Sequence, residues 1–220
     1  GLNASQNFTL TVQAVAATVS VSSSVNPSVF GQPVTFTATV IPSTGTSSAG
    51  APTGVVQFDL DGGVGGAVAL TNGVATFSTA ALATGTHVVS VTYNGDENYL
   101  PAFAMLTPNQ QVVPANTTTQ LTARMGGGLY QTDVLLEATV TPVAPGAGTP
   151  FGTVTFTGDL LAPTTVALDA NGHASIVVLN AARGNLSFTA TYNGNSNFNT
   201  SANTQAVFAP HVVIMPLVFK

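Results

Sequence analysis

The sequence predicts an all-β chain of two tandem antiparallel β-sandwiches, with extra strand-like segments at both ends. Three observations carry this. Only 5% of the 220 residues are charged, and the polar positions are filled mainly by Thr, Ser, Asn and Gln, with 22 Gly and 13 Pro between them. Apolar and hydroxyl side chains alternate with a period of two. The chain also repeats itself at an offset of 98 to 100 residues.

The alternation is clearest in the longest apolar segments. Val34, Phe36, Ala38 and Val40 alternate with Thr35, Thr37 and Thr39; Leu186, Phe188, Ala190 and Tyr192 alternate with Ser187, Thr189 and Thr191. Val56, Phe58 and Leu60 alternate with Val55, Gln57 and Asp59. One apolar face at period two marks an antiparallel strand that covers a core on one side only. Thr is β-branched and favours strands, while Gly, Pro and Asn favour turns. No segment sustains a 3.6-residue period.

Self-comparison sets the organisation. "FGQPVTFTATVIP" at 30–42 matches "YQTDVLLEATVTP" at 130–142, and "PTGVVQF" at 52–58 matches "PFGTVTF" at 150–156. "NGVATF" at 72–77 matches "NGHASI" at 171–176, and "GTHVVSVTYNGDENY" at 85–99 matches "GNLSFTATYNGNSNF" at 184–198. Each copy therefore shows about six or seven strands with frequent turn signals, which fits an immunoglobulin-like sandwich. The expected domains are 16–113 and 114–210, with Pro114 to Asn116 as a short, stiff linker that favours an end-to-end array. Val19 and Val21, or Leu121 in the second copy, begin an edge strand. Asn72-Gly73 and Asn171-Gly172 are expected hairpin turns. Tyr93 and Tyr192 close a central strand before Asn-Gly and a second aromatic, Tyr99 or Phe198, placed to fold back on the core, as at a tyrosine corner.

The segments "NPSVFGQPVTFTATV", "PTGVVQFDLDGG" and "LTNGVATFSTAALATGTHVVSVTYNGDENY" resemble the bacterial Ig-like repeat domains of large secreted and surface-anchored proteins. The resemblance covers nearly all of 16–113. Over 114–210 it is looser, because Gly-Gln-Pro becomes Gln131-Thr132-Asp133 and Gly-Asp becomes Gly194-Asn195. It implies repeat modules used as stalks, spacers or adhesins, with no catalytic residues to carry over.

Both ends carry apolar strand-like segments. Residues 1–15 place Phe8, Leu10, Val12 and Ala14 on one face, and 211–220 read "HVVIMPLVFK". They are expected either to belong to neighbouring domains or to act as donor strands. In the second case Phe8, Leu10 and Val12 would complete the sheet of the next subunit in a head-to-tail, pilus-like fibre. Gly1 stands where an initiator Met would, so an excerpt of something longer is expected.

Composition excludes several functions. Arg124, Arg183 and Lys220 are the three cations, and a net charge of −5 gives no basic face for nucleic acid. High hydrophobicity and low net charge oppose disorder. The longest apolar stretch is broken by Pro216, so no transmembrane segment is expected. Cysteine is absent, which rules out disulfides and thiolate chemistry.

No site for catalysis emerges. His87 aligns with Leu186 and His173 with Val74, so neither belongs to a shared site, and His211 lies outside the repeats. Nucleophile-elbow, phosphate-loop and His-Glu-x-x-His motifs are missing. No cofactor is expected. Calcium is the best metal candidate, at "DLDGG" (59–63) or "GDEN" (95–98), yet two carboxylates each fall short of six to eight oxygen ligands. Turn carboxylates that bind their own backbone are the plainer reading. Glycosylation sequons occur at Asn3, Asn7, Asn116, Asn185 and Asn199. The expected function is a non-catalytic extracellular structural protein at the cell surface, whose partners are copies of itself or neighbouring Ig-like domains. The competing class is an adhesin or carbohydrate-binding module with a host-surface or glycan ligand, sited in loops such as 43–52 or 143–150.

Overall fold

A computed structural model of the chain describes residues 13–43, 50–126, 133–179 and 184–209. Every regular element among them is a strand. The first repeat contains β1 (Ala17–Ser23), β2 (Ser28–Val29), β3 (Val34–Pro42), β4 (Val55–Leu60) and β5 (Gly63–Ala69). It continues with β6 (Val74–Thr79), β7 (Gly85–His87), β8 (Val89–Tyr93), β9 (Ala102–Met105) and β10 (Gln110–Val113). The second repeat contains β11 (Thr117–Met125), β12 (Val134–Pro142), β13 (Thr153–Gly158) and β14 (Leu161–Ala167). It ends with β15 (His173–Val178), β16 (Gly184–Tyr192) and β17 (Ser201–Ala209).

The two repeats share one plan. Sheet β1-β3-β6 corresponds to β11-β12-β15, and sheet β5-β4-β8-β9 to β14-β13-β16-β17, while the first repeat adds a small sheet, β2-β10-β7. The predicted phase holds on the central strands. Val34, Phe36, Ala38 and Val40 of β3 are buried, as are Val134, Leu136, Ala138 and Val140 of β12. Val56, Phe58, Val89, Val91 and Tyr93 line the opposite sheet of the first repeat, and Phe58 stacks on Phe77 across the sandwich at 5.7 Å. In the second, Val154, Phe156, Phe188, Ala190 and Tyr192 play the same part. A buried Phe of this kind contributes about 1.5–3 kcal/mol.

The outward faces carry hydroxyls in register. Thr35 meets Ser78 at 2.7 Å, Thr155 meets Thr165 at 3.0 Å, and Thr189 meets Thr204 at 2.8 Å. Cross-strand Thr pairs are a recognised source of sheet stability.

Two differences separate the repeats. The second has seven strands, within the predicted six or seven, whereas the first is cut into ten segments. One cut falls at Val88, which exchanges two hydrogen bonds with Asp61 just as Ser187 does with Asp159 in the second repeat, but which follows His87, whose ring engages Asp61. The other falls after Met105, where cis-Pro108, which has no N–H to give a ladder, precedes the passage into β10. The second repeat instead runs β16 and β17 unbroken for nine residues each. The Asn-Gly turns also differ. Asn72 and Gly73 both take positive φ and close a two-residue hairpin between Thr71 and Val74. At 171–172 only Gly172 does, and Asp169 Oδ1 receives the N–H groups of Asn171 and His173.

The fold forms two compact units. The first takes the described residues up to Ser28, Pro33–Ala80 and Gly85–Gln111; the second takes Val29–Gln32, Ala81–Thr84 and the chain from Val112. Within the second unit the Phe30 ring meets Phe198 edge-on at 5.3 Å and packs on the core, and the Phe30 carbonyl accepts the Ala147 N–H at 3.2 Å. Gly31, at φ 78°, sits so close that a Cβ there would lie 2.4 Å from the Ala147 carbonyl oxygen. In the first unit the fully buried Gln110 donates to the Val25 and Gln111 carbonyls and to Ser28 Oγ, while its Oε1 accepts from Ser23 Oγ at 2.6 Å.

Two outcomes are expected in thermal unfolding. Phe30→Ala should destabilise the second unit by about 2 kcal/mol, below the ~3–5 kcal/mol of a fully buried Phe, and Phe30→Leu by less. Gln110→Ala should cost the first unit about 1–3 kcal/mol by stranding buried polar partners; no loss in either case would contradict these contacts.

Candidate functional site

The acidic turns of the first repeat carry the metal candidates expected from the sequence. Asp61 sits at φ 50° after β4 and its Oδ2 lies 2.7 Å from Nδ1 of His87, a buried histidine on β7. The His87 hydrogen bond holds the Asp61 carboxyl below its ordinary range; burial opposes this, and the Val88 N–H adds to it. Asp61 is thus engaged with a side chain and a backbone N–H within its own repeat.

Asp96 is engaged more fully. Its Oδ1 accepts the N–H groups of Asn98 and Tyr99, and its Oδ2 accepts the N–H and hydroxyl of Thr53, all at 2.7–2.8 Å. Burial raises its pKa, but these donors outweigh it and bring the group down to about 2. Four hydrogen-bond donors converge on the carboxylate, the arrangement of a turn Asp that organises its own loop. Among the described residues no group of three His, Asp or Glu side chains is placed to hold a metal.

The equivalent residue of the second repeat, Asn195, does one thing more. Its Oδ1 accepts from Asn197 and Phe198, and its Nδ2 donates to the Phe151 carbonyl and to the Tyr192 hydroxyl at 2.9 Å. Tyr192 in turn donates to the Phe151 carbonyl at 2.8 Å. With Asp in place of Asn, the buried Tyr93 hydroxyl is left without a hydrogen bond of good geometry. Burial first, and then the Asp96 carboxylate, push the Tyr93 pKa far up, so the phenol stays protonated.

The outward face of β11-β12-β15 gathers a different set of side chains. Cross-strand register aligns Gln120 with Thr139 and His173, and Thr122 with Glu137 and Ser175. Arg124 forms an ion pair with Glu137, and Thr139 Oγ1 lies 2.9 Å from His173 Nδ1. Backbone N–H groups of His173 and Asn171 lower the Asp169 pKa beside them. A groove of about 280 Å³ runs over Gln120, Arg124, Glu137 and His173. A second, of about 380 Å³, shares Glu137 and His173 and is lined also by Val166, Ala167 and Asp169. Sequence reading gave His173 as an isolated histidine. The signal that could have found this face is the run of substitutions at the aligned positions Ser20, Ser22, Ser24, Thr37 and Val74.

The other expected residues fall as follows. Asn116 and Asn199 are exposed but joined, the Asn199 amide donating to Asn116 Oδ1 at 2.9 Å, and Asn185 is exposed on β16. Asn3, Asn7, Phe8, Leu10 and Val12 lie outside the described residues, as does 44–49 of the first expected binding loop. The second expected binding loop, 143–150, receives the Phe30 turn through Ala147 and Gly148. Most of the loop is nevertheless exposed. The expected linker is folded in. Ala115 is fully buried, its N–H donates to the Asn197 carbonyl, and its carbonyl accepts the Asn199 N–H, both at 2.9 Å. Val15, one repeat earlier, bridges Tyr99 in the same parallel manner.

Comparison with known proteins bears on this arrangement. A family model described as bacterial Ig-like domain (group 3) matches residues 19–113 and again 106–209, and the chain belongs to this family. No curated protein matches significantly. Among solved structures, the fibronectin(III)-like modules of Clostridium thermocellum CbhA are 16% identical over 90% of this chain and all of theirs, with a TM-score of 0.32. Parabacteroides merdae β-glucuronidase is 11% identical over 87% of this chain and 25% of its own length, with a TM-score of 0.30. A C-terminal fragment of intimin, in complex with the intimin-binding domain of its translocated receptor, is 14% identical over 87% of this chain and 63% of the fragment, at a TM-score of 0.31. No helix among the described residues is long and apolar enough to cross a membrane.

The depressed Asp96 pKa has a readable consequence. An unfolded Asp titrates near 3.9, so the stabilisation from Asp96 is complete above about pH 4 and is lost as pH falls toward 2. The unfolding midpoint of the first unit should fall across that window, and Asp96→Asn should flatten the fall; an unchanged acid limb in the variant would contradict the assignment.

Proposed function

We propose, on the premise that the chain is a tandem pair of bacterial Ig-like domains, that it is a non-catalytic structural spacer in an extracellular or cell-surface protein. One observation carries the reading: Ala115, midway along the only linker the repeat pattern allows, is fully buried and hydrogen-bonded on both sides. A spacer has to resist extension, and Ala115 belongs to the stretch held within the second unit.

Other features support this reading. The outward faces are Thr and Ser with few ion pairs, so their behaviour should vary little with salt. Stability comes from core burial, with no disulfide to be reduced. The proposed partners are neighbouring Ig-like modules of a parent chain, or copies of the same chain.

Single-molecule extension of the chain between terminal handles is the test. Two separate unfolding events are expected, each releasing about 30 nm of contour, from roughly 95 residues at ~3.4 Å each less the folded span. Smooth extension without force peaks would contradict a load-resisting role.

A further inference from the structure

The chain has 3 basic and 8 acidic side chains in 220 residues. Arg124, Glu137 and Asp169 nevertheless converge with His173 on one part of the second repeat, around two grooves that share Glu137 and His173. The fold does not require them there. The first repeat builds the same sheet with Ser20, Thr39 and Val74 in one row and Ser22, Thr37 and Thr76 in the next. Stability does not explain them either. The Arg124 and Glu137 side chains are 66% and 40% exposed, and an exposed pair contributes about 0–1 kcal/mol.

We propose that this outward face of β11-β12-β15 binds a neutral oligosaccharide across Arg124, Glu137 and His173. The chemistry selects that class. Arg124 and Glu137 cancel each other's charge, which leaves the single negative charge of Asp169: that disfavours a phosphate, and among the described residues no three His, Asp or Glu side chains are placed to hold a metal ion. What remains is a mixture of donors and acceptors: the guanidinium donates, the carboxylate accepts, and Gln120 and Thr122 do both. Sugar hydroxyls also do both. The Thr139 contact holds one nitrogen of His173 and turns Nε2 away from Thr139. Val166 and Ala167 give the larger groove an apolar wall for the C–H side of a ring. Its volume of about 380 Å³ is at the small end of ligand sites, which run from roughly 300 to 1,000 Å³. The proposal is independent of the spacer reading, since a spacer can carry a sugar-binding face.

The test uses the full chain, with cellohexaose, xylohexaose, laminarihexaose and chitohexaose as probes, followed by amide chemical-shift titration. At least one should bind at millimolar concentration or below and shift residues 120–124, 137–139 and 173–175. The exchange Arg124→Ser, Glu137→Thr and His173→Val installs the first repeat's residues. It should weaken binding at least tenfold while the unfolding midpoint stays within a few degrees. If the triple exchange does not fold, His173→Val alone should weaken binding at least threefold. Absence of binding by all four probes, or binding that the exchange leaves unchanged, overturns the proposal.

Discussion

Strands β3 and β12 each bury four apolar side chains along one face, and in each repeat a second sheet closes over that face. With 5% charge the chain has few ionic groups with which to mark its outside. Inside and outside are therefore distinguished almost wholly by the pleat: a methyl or ring on one side, a hydroxyl on the other. A shift of one residue in register would exchange the two. The turns hold that register. Gly73 and Gly172 take positive φ and bring their carbonyls to the N–H of Val40 and Val140, and a Cβ on either would lie 2.8 Å from the carbonyl oxygen of Val40 or Val140. The same device thus appears at the same place in both copies.

Where the copies diverge, particular residues differ. The two hydrogen bonds between Asp61 and Val88 recur between Asp159 and Ser187, inside the unbroken β16; what the first repeat adds is the His87 ring on Asp61, where the second has Leu186. Asp96 and Asn195 organise equivalent loops, but only the amide can also donate to the tyrosine behind it. In the first repeat the buried Tyr93 hydroxyl faces the Asp96 carboxylate instead, without a hydrogen bond of good geometry.

Much of the fold was legible from spacing alone. The repeat offset, the strand phase of 34–40 and 186–192, and the return of Tyr99 and Phe198 to the core all follow from period two and turn chemistry. The missing parts depend on partners distant in sequence. Nothing local marks Gln110 as buried, since its partners Ser23, Val25 and Ser28 lie more than 80 residues away. Nothing local marks Phe30 as the neighbour of Phe198, or the loop 143–150 as its seat. His173 belongs to no shared site by sequence, and only the register of β12 with β15 brings it to one face with Glu137. Expectations that fall on 1–12 and 210–220 lie outside the described residues.

Ala115 decides whether the linker belongs to the second unit. If the linker is part of the second unit, its amide shares that unit's stability; if it is a tether, it does not. Native-state hydrogen exchange at the Ala115 N–H, compared with the core amide of Val140, tests this directly. Both should exchange only through opening of the whole unit, with similar free energies. Exchange of Ala115 at the rate of an unprotected peptide, while Val140 stays protected, would contradict it.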